Sequence, residues 1–196
     1  DPGENGFILL ELSSFQLEIT KELELDSCII LNVSSDHLDR HGTLRKYAST
    51  KYKITNFLKR DGNLIIGNDD IFCKEFLKKS KSSNYNISVL SKNDPLVKNF
   101  TNPTHNKQNI SATLRFFISL GFSLKKIQKH LKSYKALPHR LENVCKIQNI
   151  EFINDSKSTN GESSKDALLQ FKNIYWILGG KSKKNGIKCL LESLKN

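Results

Sequence analysis

The chain is short of several features that mark whole classes of protein. Its 196 residues include no Met, one Trp and four Cys, and no apolar run approaches the roughly 20 residues of a membrane span. None of the cysteines forms a C-x-x-C pair, which argues against a zinc site or a disulfide framework and favours a reduced, cytoplasmic protein. The chain begins with neither a signal peptide nor Met. We therefore expect it to be an internal part of a longer protein.

Negative charge is also scarce, since 31 Lys and Arg outnumber 20 Asp and Glu and give a net charge of +11. Such an excess raises the possibility of nucleic-acid binding. The lysines are scattered over predicted helices and loops, however, and no basic stripe interleaved with aromatic residues is present. We expect no nucleic-acid or membrane partner. A basic nucleic-acid-binding module stays as an alternative, and an anionic nucleotide substrate would equally suit a basic cleft.

Apolar runs alternate with helical spacing in the first half of the chain. Four runs predict buried strands: Phe7–Leu10, Cys28–Val33, Asn63–Ile66 and Asn86–Leu90. Helical spacing falls between them, at Thr43–Leu58, where Thr43 is the expected N-cap, and at Ile71–Lys79. This alternation predicts an α/β fold with a parallel sheet, and continuous apolar strands predict burial on both faces of that sheet.

The second half divides at a proline. Helices are predicted near Asn106–Leu120 and Ser123–Tyr134, with Ser123 as the expected cap of the second, and Pro138 then breaks the helical pattern. We place a domain boundary there, which gives one domain over residues 1–136 and the start of another over 137–196. The second part predicts a hairpin, a helix near Ser163–Phe171 and a strand at Ile174–Leu178.

The string ELSSFQLE follows the first predicted strand. The carboxyl ends of parallel strands are where ligands bind in open α/β sheets. Glu11 could hold Mg²⁺ there, while Ser13 and Gln16 could bond a substrate. The alternative is that Glu11 and Glu18 are ordinary solvated charges.

The string NVSSDHLDRHG, at Asn32–Gly42, follows the second predicted strand at the same sheet edge. Its candidate ligands are Asp36, His37, Asp39 and His41. Mg²⁺ with one or two protein ligands and phosphate oxygens suits this set better than tetrahedral zinc. The alternative is a helix-start loop in which Asp36 caps the helix and Asp39 pairs with an arginine.

Two lysines lie in the helix after this loop. Lys51 and Lys53 are about 200° apart around the helix, so one can be buried while the other is solvated. A buried lysine has a lowered pKa, and its neutral amine can take up CO₂ to form a carbamate.

Further polar residues flank the predicted hairpin. His139 and Arg140 lie at the domain junction, and Asp155, Lys157 and Thr159 follow a strand. Arginine can clamp a phosphate and lysine can hold a carboxylate, although turns alone would explain the second group.

A Gly-Lys-Ser sequence at Gly180–Ser182 is not a P-loop. That motif requires a glycine five residues before the Gly of the GKS, where this chain has Tyr175. The turn could still present Lys183 to an anion.

Taken together and in this order, these strings resemble the Mur ligase family. The matching strings are ELSSFQLE, DHLDRHG followed by Lys51, HNKQN at His105–Asn109, LPHRLE at Leu137–Glu142, INDSKSTN at Ile153–Asn160 and LGGKSK at Leu178–Lys183. The resemblance implies a central ATP-binding domain, here incomplete, followed by the start of a Rossmann-like α/β domain. The family's N-terminal domain, its P-loop and the end of its C-terminal domain have no counterpart here, so we expect the isolated chain to be inactive.

The resemblance also implies roles for individual residues. The implied catalytic residues and ligands of two Mg²⁺ ions are Glu11, His37 and carbamylated Lys51. The implied ATP contacts are Asn109, Arg140 and Asp155. The implied contacts to the uridine-nucleotide substrate are Ser13 and Gln16. The implied D-glutamate contacts are His139, Lys157, Thr159 and Lys183.

The implied activity is amide-bond formation in peptidoglycan precursor synthesis. ATP would phosphorylate the carboxylate of UDP-N-acetylmuramoyl-L-alanine, and D-glutamate would attack the resulting acyl phosphate. The implied enzyme is an ADP-forming, cytoplasmic monomer. The alternatives are a sister Mur ligase, a folylpolyglutamate synthase-like amide ligase and a non-catalytic remnant.

Overall fold

The computed structural model describes residues 6–98, 107–135, 137–181, 186–191 and 194. The chain divides into two compact units. The first comprises Asp1–Val33 and His41–Leu120, and the second comprises Ser34–Arg40 and Gly121–Asn196. In the described part, no helix is both long and apolar enough to cross a membrane.

The regular elements up to residue 120 follow one another in this order: α1 (Ser14–Ile19), β1 (Leu25–Ile30), α2 (Leu38–His41), α3 (Leu44–Tyr52), β2 (Leu58–Gly67), α4 (Ile71–Ser80), β3 (Asn86–Leu90) and α5 (Lys107–Ser119). Short 3₁₀ helices lie at Lys53–Phe57 and Pro95–Val97. The single helix predicted over Thr43–Leu58 is therefore split, and Leu58 already begins a strand.

A three-stranded parallel sheet organises the first unit, with β2 between β1 and β3. Ile65 of β2 pairs with Ile29 on one side and with Ser88 on the other. This confirms the parallel α/β sheet predicted from the alternation of apolar runs and helical spacing.

Both faces of the central strand are buried. Leu64 and Ile66 pack into the core formed with α3 and α4, whereas Ile65 packs with Leu90 and with Ala112 of α5. All three β2 residues have no solvent exposure. The continuous apolar run therefore reflects burial on both faces, as predicted.

Side-chain caps fix where the helices of this sheet begin. The Thr43 hydroxyl accepts from the Lys46 amide at the start of α3, as predicted. At α4, the Asp70 carboxylate accepts from the Phe72 and Cys73 amides and also from the Val33 amide. The helix cap at Asp70 therefore also holds the backbone just beyond β1.

The second unit contains α6 (Leu124–Leu131), β4 (Glu142–Ile147), β5 (Ile150–Asn154), α7 (Gly161–Gln170) and a 3₁₀ helix at Lys188–Leu190. Its two strands form an antiparallel hairpin, as predicted. Ser123 caps α6, also as predicted, by accepting from the Lys126 amide.

Two predicted strands are wrong. Phe7–Leu10 and Ile174–Leu178 lie in irregular backbone, and Leu9, Tyr175 and Ile177 are 90%, 95% and 96% exposed. Both runs have the composition of a strand. A strand also needs a hydrogen-bonded neighbour, and among the described residues neither segment has one.

Candidate active site

The first predicted string forms the start of α1. Ser13 caps the helix by accepting from the Gln16 amide at 3.3 Å, while the Ser13 amide and hydroxyl both donate to Gln16 Oε1 at 2.8 Å. The structure brings these two predicted substrate contacts together and gives them a capping role. Glu11, three residues before α1, is exposed.

His41 lies behind this helix start. Its ring is 2% exposed, and Nε2 lies 3.0 Å from the Ser14 hydroxyl. Its Nδ1 has no hydrogen-bond partner among the described residues. A buried polar atom left unsatisfied costs about 1–3 kcal/mol. Sequence reasoning treated His41 only as a candidate metal ligand, and the structure instead makes it a buried packing residue.

The two helix lysines differ in exposure as predicted. Lys53 is exposed, whereas Lys51 is half-buried and its Nζ lies 5.0 Å from the centroid of the Tyr47 ring. The face of an aromatic ring stabilises a charged ammonium. The Lys51 amine therefore lies against an aromatic ring, and carbamylation of Lys51 stays a prediction.

Gln108 is a buried polar residue that sequence reasoning missed. Its Oε1 accepts from Asn32 at 2.9 Å, and its Nε2 donates to the Leu31 carbonyl and to Asp69, each at 3.0 Å. These bonds fix the backbone that follows β1. Its neighbour Asn109, the predicted adenine contact, is exposed. The signal available in the sequence was a glutamine on the apolar face of α5.

Close packing also fixes the same backbone at Gly67. A Cβ at Gly67 would collide with the Leu31 carbonyl and would lie 3.2 Å from the Gln108 amide nitrogen. Only glycine leaves room for this approach. The end of β2 and the residues after β1 are therefore held together without a side chain between them.

Asp94 forms a second buried polar cluster. It is 3% exposed and accepts hydrogen bonds from Ser111, from the Leu96 amide and from Arg115 through Nε and Nη2. Burial alone would raise the pKa of this carboxyl, but the hydrogen bonds and the Arg115 charge outweigh it and hold the pKa below its ordinary value of 3.8. The cluster ties the loop after β3 to α5.

In the second unit, hydrogen bonds to Asp36 connect the DHLDRHG string with the INDSKSTN string. The Asn160 side chain caps α7 and donates to Asp36 at 3.2 Å. The other Asp36 oxygen accepts from the His37 amide at 2.9 Å. His37 and the SKSTN string around Thr159 are thereby linked through one carboxylate, although they are more than a hundred residues apart in sequence.

The residues flanking the hairpin also converge. The Lys157 amide donates to the His139 carbonyl at 3.0 Å, and Asp155 accepts from the Leu141 amide at 3.1 Å. His139 and Arg140 are exposed, as are Lys157 and Thr159. Their side chains are therefore accessible to a ligand, whereas Asp155 is half-buried and holds the backbone beside them.

Three of the six non-glycine residues with positive φ in the described part of the chain lie in the DHLDRHG and LPHRLE strings. His37, His139 and Leu141 have φ values of 51°, 65° and 47°. Left-handed backbone at non-glycine residues costs on the order of 1–3 kcal/mol and clusters at functional sites. The other three, Asp61, Gln148 and Asn173, have the same geometry outside the strings, so strain alone does not mark a functional residue.

The described residues do not form a complete metal cage. No group of three or more His, Cys, Asp or Glu among them could hold an ion. Arg45 forms a bidentate ion pair with Glu75, at 3.1 Å for each hydrogen bond, and not with Asp39. The donor set therefore fits Mg²⁺ only when nucleotide oxygens and water supply most of its ligands. Lys183, the remaining predicted contact, lies outside the described residues.

Similarity to known proteins places the chain in a family. The sequence profile of the Mur ligase middle domain matches residues 2–144. UDP-N-acetylmuramoylalanine–D-glutamate ligase of Paramagnetospirillum magneticum is 34% identical, over 96% of this chain and 46% of that protein. The ligase of the same name from Rickettsia felis is 33% identical, over 95% and 46%. The chain spans about half the length of these relatives.

Solved structures agree on the fold. MurF from Acinetobacter baumannii superposes with a TM-score of 0.67 at 23% identity, covering 82% of this chain and 40% of that one. At this identity the likeness concerns the fold alone. With the profile covering most of the chain, and with the predicted strings in family order, the chain belongs to the Mur ligase family.

Proposed function

We propose that this chain is the central part of an ATP-dependent ligase that adds D-glutamate to UDP-N-acetylmuramoyl-L-alanine. The observation that carries the proposal is the convergence within the second unit, where Asp36 joins His37 to Asn160 and where His139 meets Lys157. The relatives named as D-glutamate ligases, which align with nearly the whole chain, support the choice of amino acid.

In the proposed reaction, a carboxylate oxygen of the alanyl group takes the γ-phosphoryl group of ATP, giving an acyl phosphate and ADP. The amine of D-glutamate then attacks the carbonyl carbon, loses a proton and displaces inorganic phosphate. Bound Mg²⁺ would screen the negative charge on the phosphates. Glu11 and His37 are its proposed protein ligands. Lys51, as a carbamate, is the third proposed ligand and would support a second Mg²⁺.

The remaining side chains have positioning roles in the proposal. Arg140 would clamp the ATP phosphates and Asp155 would bind its ribose, with Asn109 at adenine. Ser13 and Gln16 would contact the uridine-nucleotide substrate. The D-glutamate carboxylates would be held by His139, Lys157, Thr159 and Lys183, a set of hydrogen-bond donors that includes two lysine ammonium groups.

The proposal also covers the division of the chain into domains and the state of the complete enzyme. Residues 1–136 would belong to the ATP-binding domain and residues 137–196 to the domain that follows it. The chain alone would be inactive, because it spans about half of its relatives. The complete enzyme would act as a cytoplasmic monomer.

The test requires a complete enzyme. In what we term the completed ligase, this chain replaces the matching segment of the Rickettsia felis relative. We expect phosphate release that requires ATP, UDP-N-acetylmuramoyl-L-alanine and D-glutamate together. A completed ligase that folds and binds ATP but releases no phosphate with D-glutamate would reject the proposal.

Two neighbouring lysines provide a matched pair. Lys51→Ala should lower kcat/KM of the completed ligase at least about a hundredfold, as expected on removal of a group that holds Mg²⁺ at the reacting phosphate. Lys53→Ala, which removes an exposed lysine two residues away, should leave kcat/KM unchanged. Equal effects of the two substitutions would contradict the role of Lys51.

A further inference from the structure

His41 occupies an unusual position for a histidine. Two aromatic side chains pack against the His41 ring, with ring centroids 5.8 Å away for Phe15 and 5.2 Å away for Tyr47. His41 is almost fully buried. A phenylalanine would fill such a space without leaving Nδ1 unsatisfied. What the imidazole provides and phenylalanine would not is the contact of Nε2 with the Ser14 hydroxyl.

The unpaired Nδ1 indicates which tautomer is present. If Ser14 donated to Nε2, the proton on Nδ1 would be a buried donor with no acceptor. If Nε2–H donates to Ser14 Oγ, Nδ1 is only an unused acceptor. Buried donors without partners are rarer in proteins than under-used acceptors. The geometry therefore favours a His41 ring that donates to Ser14 through Nε2.

His41 also connects two parts of the proposed site. On one side it contacts Ser14, the first residue of α1, whose N-terminal cap is the Ser13–Gln16 pair. On the other side it packs on the Tyr47 ring. The Lys51 Nζ lies 5.0 Å from the centroid of that Tyr47 ring. The contacts run without a gap from Ser14 through His41 and Tyr47 to Lys51.

We propose that His41 is a positioning residue whose bond to Ser14 and packing on Tyr47 set the start of α1 relative to Lys51. The inference rests on the proposed function, because that function gives Ser13, Gln16 and Lys51 their roles. His41 itself touches no substrate. Its effect is to hold the uridine-nucleotide contacts at a fixed distance from Lys51, the residue that acts at the phosphate.

The first arm of the test uses the chain itself and no substrate. His41→Phe keeps the ring packing and removes the bond to Ser14, whereas His41→Gln retains a side-chain N–H donor. In amide NMR spectra, His41→Phe should shift the signals of Ser13 to Gln16 and of Lys51, and His41→Gln should restore those of α1. Tyr85→Phe, which removes a 2.9 Å bond to the Thr55 carbonyl elsewhere in the unit, is the control and should shift neither group.

The second arm uses the completed ligase. His41→Phe should raise the KM for UDP-N-acetylmuramoyl-L-alanine about tenfold, a loss expected for one neutral hydrogen bond. The KM for ATP should stay within about twofold, and His41→Gln should recover most of the loss. A fall in kcat alone, with both KM values unchanged, would indicate a merely structural role and would overturn the inference.

The two proposals fail differently. Absence of D-glutamate-dependent phosphate release from the unsubstituted completed ligase rejects the proposed function, and the NMR arm then decides the inference alone. NMR shifts confined to Tyr47, with Ser13 to Gln16 and Lys51 unmoved, reject the positioning role even when the ligase is active.

Discussion

Two apolar runs, one in each unit, differ in structure: one forms a buried strand and the other is exposed and forms no strand. Asn63–Ile66 lies in the central strand of the first unit, with its three apolar side chains fully buried. Ile174–Leu178 of the second unit forms no strand, and Tyr175 and Ile177 are almost fully exposed. The difference teaches that composition sets the capacity for a buried strand, whereas neighbouring strands and covering helices decide whether it forms.

The polar residues follow the same division. His41, Gln108 and Asp94 of the first unit are buried and hold backbone or side chains in place. His139 and Lys157 of the second unit are exposed. These three first-unit side chains are therefore inaccessible to a ligand, whereas the two in the second unit are accessible.

The largest expected effect comes from the two apolar runs. Ile65→Ala should lower the free energy of unfolding by about 3–4 kcal/mol, because it leaves a cavity between two covered sheet faces. Ile177→Ala, the matched change at an exposed residue, should stay within about 0.5 kcal/mol. Urea unfolding of the chain measures both. Similar losses of unfolding free energy in the two variants would mean that Ile65 and Ile177 are equally buried, which would contradict the difference between the two runs.

A second contrast concerns carboxylates. Asp94→Ala should cost about 3 kcal/mol, since it leaves the partly buried Arg115 and Ser111 without their acceptor. Asp26→Ala removes an exposed ion pair with Lys59 at 3.0 Å and should cost less than about 1 kcal/mol. The same urea titrations apply. A cost for Asp26 equal to that for Asp94 would remove the distinction between buried and exposed polar groups.

Asp94 also predicts an acid dependence. Its pKa is lower in the folded chain than the ordinary 3.8, so the folded state favours the ionised carboxylate. The stabilisation is complete above the unfolded pKa and is lost as the pH falls through 3.8 and below the folded pKa. Asp94→Asn should flatten this part of the stability–pH curve. An unchanged acid slope in the variant would contradict the role of Asp94.

The smallest effect is on thiol reactivity, without any change in stability. Burial raises the pKa of the Cys28 thiol to about 12, and burial together with Asp70 also raises that of Cys73. Cys145 in the hairpin is exposed. At neutral pH a thiol reagent should label Cys145 rapidly and leave Cys28 and Cys73 unlabelled until the chain unfolds. Mass spectrometry of the labelled peptides gives the answer, and early labelling of Cys73 would show that the first unit opens.

Local signals in the sequence were enough for much of the fold. The parallel sheet, the hairpin and the caps at Thr43 and Ser123 follow from apolar spacing and hydroxyl chemistry, and the structure confirms them. The two wrong strands fail because a run of apolar residues does not specify its hydrogen-bonded neighbour.

The candidate site was less accessible to sequence reasoning. The bond between Asn160 and Asp36 and the bonds of Gln108 join residues that are distant in sequence, so no local spacing predicts them. His41 shows the same limit. The sequence DHLDRHG is compatible with His41 as a metal ligand and also with His41 as a buried structural residue. The contacts of His41 with Ser14 and Tyr47 decide in favour of the buried structural residue.

One measurement tests the central claim most directly. The completed ligase is given ATP, UDP-N-acetylmuramoyl-L-alanine and an equimolar mixture of D-glutamate, L-glutamate and D-alanyl-D-alanine, and the products are identified by mass and chromatography. The account predicts that the D-glutamyl amide is the main product. A main product that carries L-glutamate or D-alanyl-D-alanine would contradict it.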